Sequence, residues 1–220
     1  MYNYFIKTIN SILAKIGIES VEYICSSEAQ ADYLLTNEEK SVPNIILDIG
    51  YISSSVMCVC GRGLTHLKAF SLGGAHISAD LSECLSISYN EAEQLKKQLI
   101  LSVMPSATDD YEIIRKDRVI PISMQQTNEI VCARLDMICS LINKCLVGYR
   151  QQYPKMPYYI TGGGISYIKG GKDYMSKMLG VNLTLLTPPD IHMQKPHFSS
   201  FYSPSSPVLS QQRPPTLYLM

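Results

Sequence analysis

The sequence has no excess of either charge and no long apolar run, and both absences narrow the possible functions. Its 220 residues include 19 Lys plus Arg and 19 Asp plus Glu, so the formal net charge is zero. Without a basic surface field, non-specific binding to nucleic acid loses its main driving force. The longest apolar stretches, such as residues 56–60, fall far below the roughly 18 residues that span a bilayer. We therefore expect neither a nucleic-acid-binding protein nor a membrane-spanning one.

The sequence also lacks the marks of secretion and of a metal site. Its start has no basic region followed by a small-residue cleavage site, as a secretory signal would. The seven cysteines are odd in number and lie mostly among apolar residues, which is typical of buried thiols in a reducing compartment. Cys58 and Cys60 have no second cysteine or histidine pair to complete a metal site, so packing explains them better. We predict a cytoplasmic protein without disulfides and without metal ligands.

Hydrophobic periodicity predicts alternating helices and strands, and hence an α/β fold. Two strands flank the Gly61–Gly63 turn and form a hairpin, so the sheet is predicted to be mixed rather than purely parallel. The last 24 residues, 197–220, contain six Ser and four Pro and are predicted to be disordered. The predicted helices cover 4–16, 28–35, 75–85, 90–101, 128–147 and 172–179, and the predicted strands cover 20–24, 44–50, 54–60, 64–72, 111–123, 156–161 and 181–186.

Three motifs could carry chemistry. Asp48 and Gly50 end a strand and are followed by hydroxyls at Ser53 and Ser54, and a second strand ends in Gly162, Gly163 and Gly164. Glycines at a strand exit let backbone N–H groups converge on a phosphate, and a nearby Asp can hold a metal ion or water against it. The third motif is Glu93 with Lys96, neighbours on one helical face, which on its own would be an ordinary surface ion pair. None of these matches the P-loop or the dinucleotide fingerprint.

The order and spacing of these motifs resemble one family. The segments SLGGAHISADLSECLSISYNEAEQLKK (71–97) and YITGGGISYIKGG (159–171) are the most specific, and the similarity runs from about residue 3 to residue 208. The chain resembles FtsA, the actin-like bacterial cell-division protein. The alternatives are an actin-like ATPase of another system, such as pilus assembly, a carbohydrate-kinase lobe, or a plain α/β domain whose glycines are turns. A kinase should carry a substrate-side acid or base, and the sequence offers no convincing one.

The resemblance implies an actin-like, ribonuclease H-like lobe that binds ATP and Mg²⁺. It implies a phosphate loop around Asp48, with Glu93 and Lys96 beside the adenosine and a glycine turn that lets the nucleotide approach the backbone. It assigns no catalytic residue here. The implied nucleotide-binding residues are Asp48, Gly50, Ser53, Ser54, Gly74, Glu93, Lys96, Gly162, Gly163 and Gly164.

The resemblance also implies a domain layout and a partner. Residues 1–40 correspond to a remnant of the first lobe, 41–80 and 122–196 to the second-lobe core, and 81–121 to an inserted smaller sub-domain. In the family that sub-domain receives the C-terminal peptide of the tubulin-like ring protein FtsZ. The implied role is an adaptor that tethers or organises the FtsZ ring at the division site, on the inner face of the cell membrane, and that self-associates into actin-like filaments. Residues 197–220 lack a basic amphipathic helix, so we expect membrane contact that is only indirect or that uses segments missing from this chain.

Two departures from the family pattern bear on the mechanism. Tyr51 and Ile52 stand where the family has two glycines, so we expect either a phosphate loop of different shape or a weakened nucleotide site. The family's first phosphate loop and its lobe lie before the point that corresponds to Met1, so the chain looks like the second half of a longer protein. We therefore expect at most a weak ATPase and more readily a nucleotide-regulated scaffold or a degenerate fragment.

Overall fold

Helices and strands alternate along the chain in the computed structural model, which describes residues 2–18, 21–61, 63–116, 118–188 and 217–219. The helices within these residues are α1 (Tyr2–Lys15), α2 (Ser26–Leu34), α3 (Asn37–Lys40), α4 (Gly74–Cys84), α5 (Tyr89–Lys96), α6 (Met124–Gln152) and α7 (Gly171–Leu179). The strands are β1 (Val21–Tyr23), β2 (Asn44–Ile49), β3 (Ser54–Cys60), β4 (Gly63–Phe70), β5 (Asp110–Arg115), β6 (Arg118–Ser123), β7 (Tyr158–Thr161), β8 (Leu183–Leu185) and β9 (Leu217–Leu219).

A five-stranded sheet in the order β4-β3-β2-β7-β8 organises the fold. Strands β2, β3 and β4 are antiparallel neighbours, whereas β7 pairs in parallel with β2 and with β8. Strand β2 is central and buried along most of its length, as its continuous apolar run predicts. The predicted α/β fold with a mixed sheet is confirmed.

Alternate residues of the central strands face two different apolar layers, as the strand period of two requires. Ile45 and Leu47 belong to the larger core, which they share with α4, α5, α6 and α7. Ile46 belongs to a smaller core that it shares with α2 residues Ala31 and Leu34. The carboxyl ends of β2 and β7 emerge between these layers, next to the start of α4, and this is where the predicted phosphate motifs lie.

Strands β5 and β6 form a separate antiparallel hairpin that packs beside α5. Tyr111 and Ile113 of the hairpin join the larger core, so the hairpin and the sheet share one apolar layer. The Tyr111 hydroxyl donates to Asn128 Oδ1 of α6 at 2.9 Å and accepts the Ile100 amide N–H at 2.9 Å. These bonds attach the hairpin to the long helix.

Several sequence-based boundaries were wrong, each for an identifiable physical reason. The single strand predicted over 111–123 is two strands, because Lys116 takes a left-handed φ of +48° and turns the chain. No helix was predicted over residues 36–40, yet Thr36 and Glu39 form a capping box that starts the short helix α3. The helix predicted over 90–101 ends at Lys96, because the chain beyond it bonds in strand fashion to Lys169.

The long helix begins earlier and ends later than predicted. The Ser123 side chain accepts the Gln126 N–H and so caps α6 ahead of the first periodic apolar residue. Residues 197–216 and 220 of the tail predicted to be disordered lie outside the described residues, and Leu217–Leu219 pairs in parallel with β1. No helix in the described part of the chain has the length and apolarity needed to cross a membrane.

Candidate nucleotide site

The two predicted phosphate motifs meet at one edge of the sheet. Asp48 at the end of β2 is the register partner of Thr161 at the end of β7, and the strands run parallel. The motifs separated by more than a hundred residues therefore leave the sheet side by side. In open α/β sheets, ligands bind at the carboxyl ends of neighbouring strands. The structure thus brings together the two motifs that the sequence analysis singled out.

Close backbone packing explains most of the glycines at this edge. A Cβ at Gly164 would lie 2.4 Å from the Gly50 carbonyl oxygen, and one at Gly74 would lie 2.7 Å from the Gly164 Cα. The Gly164 N–H donates to the Ile49 carbonyl at 2.7 Å. Gly162 has a φ of +99°, and a Cβ there would lie 2.3 Å from Asp48 Oδ1. A Cβ at Gly50 would lie 2.7 Å from the Ser53 carbonyl oxygen. These four glycines are needed to assemble the site itself, while Gly163 beside them is half-buried.

The loop after β2 keeps a row of free amides. Its Gly50 N–H donates to the Ser53 carbonyl at 3.0 Å, and the carbonyls of Gly50 and Tyr51 accept the N–H groups of Gly74 and Ala75. In the described part of the chain, no hydrogen bond uses the N–H groups of residues 51–53. Consecutive free amides are the kind of donors that bind phosphate.

The two predicted serines differ in availability. Ser53 is exposed at the end of the loop and is free to face a ligand. Ser54 is buried as the first residue of β3, and its Oγ donates to the Leu72 carbonyl at 2.7 Å. That bond uses the only proton of the Ser54 hydroxyl. Ser54 therefore supports the loop, and its hydroxyl has no proton left to donate to a phosphate.

A residue that the sequence analysis missed contacts the carboxylate at the centre of the site. Gln30 of α2 is buried, and its Nε2 donates to Asp48 Oδ2 at 3.0 Å. Burial raises the pKa of Asp48, and the hydrogen bond from Gln30 opposes that rise. Gln30 lies 18 residues before Asp48, and a lone glutamine within a helical pattern carries no motif. Only the fold reveals that it orients the carboxylate.

Glu93 and Lys96 form a buried cluster rather than a surface ion pair. Lys96 is only 4% exposed, and its Nζ donates to the Gly74 carbonyl at 3.0 Å, to Ser78 Oγ at 2.8 Å and to Glu93 Oε1 at 2.7 Å. An ammonium group has three protons, so all its donors are in use. Glu93 also accepts a hydrogen bond from Ser78 Oγ. In this arrangement Lys96 attaches α5 to the start of α4, directly behind the glycine turn.

The protonation of this cluster follows from its partners. Burial alone would raise the pKa of Glu93, but the hydrogen bonds from Lys96 and Ser78 outweigh it and lower that pKa. Burial lowers the pKa of Lys96, and Glu93 opposes that change. The carboxylate is thereby kept charged at neutral pH next to the ammonium group, as expected for a hydrogen-bonded buried pair.

Tyr51 reaches from the loop to helix α5. Its hydroxyl lies 2.6 Å from the Tyr89 hydroxyl, and its ring centroid lies 5.5 Å from Lys96 Nζ. The Tyr89 hydroxyl also contacts the Ala75 carbonyl at 3.4 Å. Burial, followed by the hydrogen bond with Tyr51, raises the pKa of Tyr89, so the Tyr89 hydroxyl stays protonated at neutral pH. The ring of Tyr51 therefore connects the phosphate loop with the helix that carries Glu93 and Lys96.

The residues present fit a magnesium nucleotide at one end and obstruct it at the other. The free amides of residues 51–53 suit a phosphate, and Asp48 supplies the single carboxylate that Mg²⁺ takes when phosphate oxygens and water provide its other ligands. When bound, the ion would neutralise phosphate charge. At the other end, the Tyr51 ring lies beside the cluster of Glu93 and Lys96, the residues that the resemblance implies for the adenosine. A nucleoside placed against that cluster would meet the Tyr51 ring.

The fold and this site define the chain as an actin-like lobe. The structure of MreB5 of Spiroplasma citri bound to AMPPNP superposes with a TM-score of 0.69 at 15% identity, covering 90% of this chain and 62% of that one. A PilM–PilN type IV pilus biogenesis complex superposes with a TM-score of 0.62 at 18% identity, covering 81% and 50%. At these identities the likeness shows the fold alone.

Sequence comparison gives the family. The sequence model for "Cell division protein FtsA" matches residues 45–203, so the chain belongs to the FtsA family. FtsA of Enterococcus hirae is 22% identical over 202 residues, which are 90% of this chain and 46% of that protein. FtsA of Bacillus subtilis is 24% identical over 188 residues, covering 84% and 42%. The chain spans about half the length of these relatives.

Proposed function

We propose that the chain acts in bacterial cell division as an FtsA-type adaptor that tethers or organises the FtsZ ring. The observation that carries this proposal is the family match over residues 45–203, which includes both phosphate motifs, α5 and the β5–β6 hairpin. In the proposed layout, 41–80 and 122–196 form the lobe core, 81–121 the inserted sub-domain and 1–40 a remnant of a first lobe. The protein would work at the division site on the inner face of the cell membrane, with membrane contact that is indirect or made by other segments, and with self-association into filaments.

We further propose that bound ATP and Mg²⁺ regulate the adaptor, with ATP hydrolysis weak at most. The free amides of residues 51–53 would hold the phosphates, and Asp48, oriented by Gln30, would hold the ion or its water. Gly162, Gly163 and Gly164 would face the nucleoside on one side, and Glu93 and Lys96 of α5 would lie beside it on the other. The three ammonium protons of Lys96 are already bonded within the cluster of Glu93 and Lys96, so none is free to donate to the ligand. The cluster would instead respond to the ligand through a shift of α5.

The β5–β6 hairpin supports a peptide partner. Ile114 and Val119 are register partners across the hairpin and are 68% and 60% exposed. Lys116 and Arg118 lie next to them at the turn and are exposed. An apolar pair with basic neighbours suits a short peptide that combines apolar and acidic side chains. We propose the FtsZ C-terminal peptide as this partner.

A peptide titration tests the adaptor. Fluorescently labelled FtsZ C-terminal peptide is titrated with the purified chain and followed by anisotropy. We expect Val119→Asp to weaken binding by about tenfold or more, since a buried unpaired charge is costly. Val147→Asp is the matched control, because Val147 is 59% exposed and lies on α6, outside the hairpin. No binding by the unmodified chain would count against the adaptor.

The alternative actin-like functions predict different results. A pilus-type ATPase or a kinase lobe would bind no FtsZ peptide. A kinase would in addition consume ATP in step with a small-molecule acceptor. The family match favours the adaptor over both, because the PilM likeness extends to the fold only.

A further inference from the structure

The two non-glycine residues of the phosphate loop behave differently. Neither Tyr51 nor Ile52 is among the non-glycine residues with positive φ, so an ordinary side chain fits the loop backbone at both positions. Ile52 is 65% exposed and takes no part in the hydrogen bonds or ring contacts found for Tyr51. Tyr51 instead lies against α5. The loop shape therefore leaves room for side chains, and only one of the two is directed across the site.

The Tyr51 side chain runs along the path that the proposed function gives to the nucleotide. It starts at the free amides proposed for the phosphates and ends beside Tyr89 and Lys96 on α5, on the side proposed for the nucleoside. The contact is specific at both ends, with a hydroxyl–hydroxyl bond of 2.6 Å and a cation near the ring face at 5.5 Å. A side chain and a nucleoside cannot share this space.

We propose that Tyr51 closes the nucleotide site in cis, so that a nucleotide binds only after the hydrogen bond between Tyr51 and Tyr89 breaks and the ring leaves α5. The proposal rests on the proposed function, because nucleotide binding at this edge is itself proposed. Tyr51 then determines the affinity of the site. The apparent affinity equals the intrinsic affinity multiplied by the open fraction, so a closed ground state weakens binding without changing any ligand contact.

The size of the effect follows from the contacts that opening breaks. A neutral hydrogen bond contributes about 1 kcal/mol net, which corresponds to about fivefold in an equilibrium constant. Loss of the ring contact with Lys96 adds to this. We therefore expect removal of the whole Tyr51 side chain to tighten nucleotide binding about tenfold, and removal of the Tyr89 hydroxyl alone to tighten it about threefold to fivefold.

The test measures binding of a fluorescent ADP analogue with Mg²⁺ to four proteins: the unmodified chain, Tyr51→Gly, Tyr89→Phe and Val103→Gly. Tyr51→Gly removes the closing side chain, and Tyr89→Phe removes its partner while keeping the phosphate loop intact. Val103→Gly is the matched control, because Val103 is 55% exposed in a loop outside the site, so its replacement adds the same backbone freedom without touching the closing contact. Circular dichroism of each protein verifies the fold, and Tyr89→Phe gives the answer should Tyr51→Gly not fold.

Tighter binding by Tyr51→Gly and Tyr89→Phe, with Val103→Gly unchanged, supports the proposal. Equal affinities in all four proteins overturn it, as does a gain by Tyr51→Gly without one by Tyr89→Phe, which would assign the effect to flexibility of the phosphate loop. An equal gain in Val103→Gly overturns it too, because the effect would then come from backbone freedom outside the site. Weaker binding by Tyr51→Gly overturns it as well, since Tyr51 would then contact the ligand. Absence of binding in every protein overturns it and also removes nucleotide regulation from the proposed function, whereas the peptide titration tests the adaptor separately.

Discussion

Glycines 164 and 148 illustrate how the same residue type serves opposite purposes in this chain. Gly164 sits between strand ends, where an added Cβ would lie 2.4 Å from the Gly50 carbonyl oxygen. Gly148 lies within α6, and an added Cβ there would meet nothing within 4 Å. The first glycine is required by its neighbours, whereas the second only increases the freedom of the unfolded chain.

We expect Gly164→Ala and Gly148→Ala to change stability in opposite directions. Gly164→Ala should lower the free energy of unfolding by about 2 kcal/mol or more, because backbone atoms must shift to admit the methyl group. Gly148→Ala should raise it by up to about 1 kcal/mol, the helix preference of Ala over Gly. Urea denaturation measures both changes in the free energy of unfolding, provided that the slope of this free energy with urea concentration stays the same in each variant. A neutral Gly164→Ala would mean that the strand ends are looser than their hydrogen bonds indicate.

Helix α5 is the element that joins the candidate site to the hairpin. On one side Lys96 binds the Gly74 carbonyl at the start of α4. On the other, Glu91 accepts two hydrogen bonds from Arg115 of β5, at 2.7 and 3.0 Å, and one from the Ser88 N–H at 2.7 Å. Glu91 thus both caps α5 and attaches the hairpin to it. A change at either end of α5 can reach the other.

The acid sensitivity of this attachment has a definite sign. Hydrogen bonds from Arg115 and then Ser88 lower the pKa of Glu91 to about 2, from 4.5. Because the folded-state pKa is depressed, the stabilisation is present above pH 4.5 and is lost as the pH falls toward 2. We expect the urea midpoint of the unmodified chain to drop over this range and that of Glu91→Gln to drop less.

The control for this prediction is Glu112→Gln, a neighbouring carboxylate on β5 whose backbone carbonyl, rather than its side chain, is bonded. The urea midpoint of Glu112→Gln should fall with pH in the same way as that of the unmodified chain. Identical acid profiles for all three proteins would show that the contact of Glu91 with Arg115 adds no acid-dependent stability. The prediction concerns the slope with pH, because each substitution can also shift the midpoint at neutral pH.

The elements that sequence could predict are those whose signal is local. The apolar run of β2 and the stripe of α6 predict a buried strand and a long helix, and both are present. Helix α3 was missed although Thr36 and Glu39 have capping-box spacing, because the segment carries no apolar stripe. The β5–β6 turn was missed because Lys116 supplies the left-handed residue instead of glycine. The end of α5 depends on pairing with Lys169, far along the chain, which periodicity does not encode.

At the scale of the whole molecule, the site was predictable where it coincides with strand ends and glycines. Sequence could indicate that Asp48 and Gly162 lie together, because the carboxyl ends of parallel strands meet at one edge of the sheet. It could not place Gln30 and Tyr89 at the site, since each approaches the site from a helix whose position depends on packing. Lys96 looked like a surface cation because helical spacing says nothing about what covers a face. Burial and cross-element contacts are therefore what the structure adds.

Stability is also distributed unevenly over the molecule. Helix α1 has Leu13 as its buried side chain among the described residues, whereas Tyr4, Phe5 and Ile12 are exposed. A hydrogen bond from the Tyr23 hydroxyl to Asn10 Oδ1, at 2.8 Å, links the helix to β1. An isolated helix of about 14 residues is marginal in water, so most of its stability must come from such contacts. Helix α7 is shorter, with nine residues, but it buries Met175 and Leu179 in the larger core.

Native-state hydrogen exchange should therefore order the helices by burial rather than by length. We expect the amides of α1 to exchange through local opening that costs little free energy, those of α7 to be better protected, and those of α6 around Ile138 and Ile142 to approach the stability of the whole chain. Mass spectrometry of peptic fragments after deuterium labelling measures all three helices in one experiment. Protection of α1 equal to or above that of α7 would contradict this order, and it would show that the exposed apolar face of α1 is covered in solution.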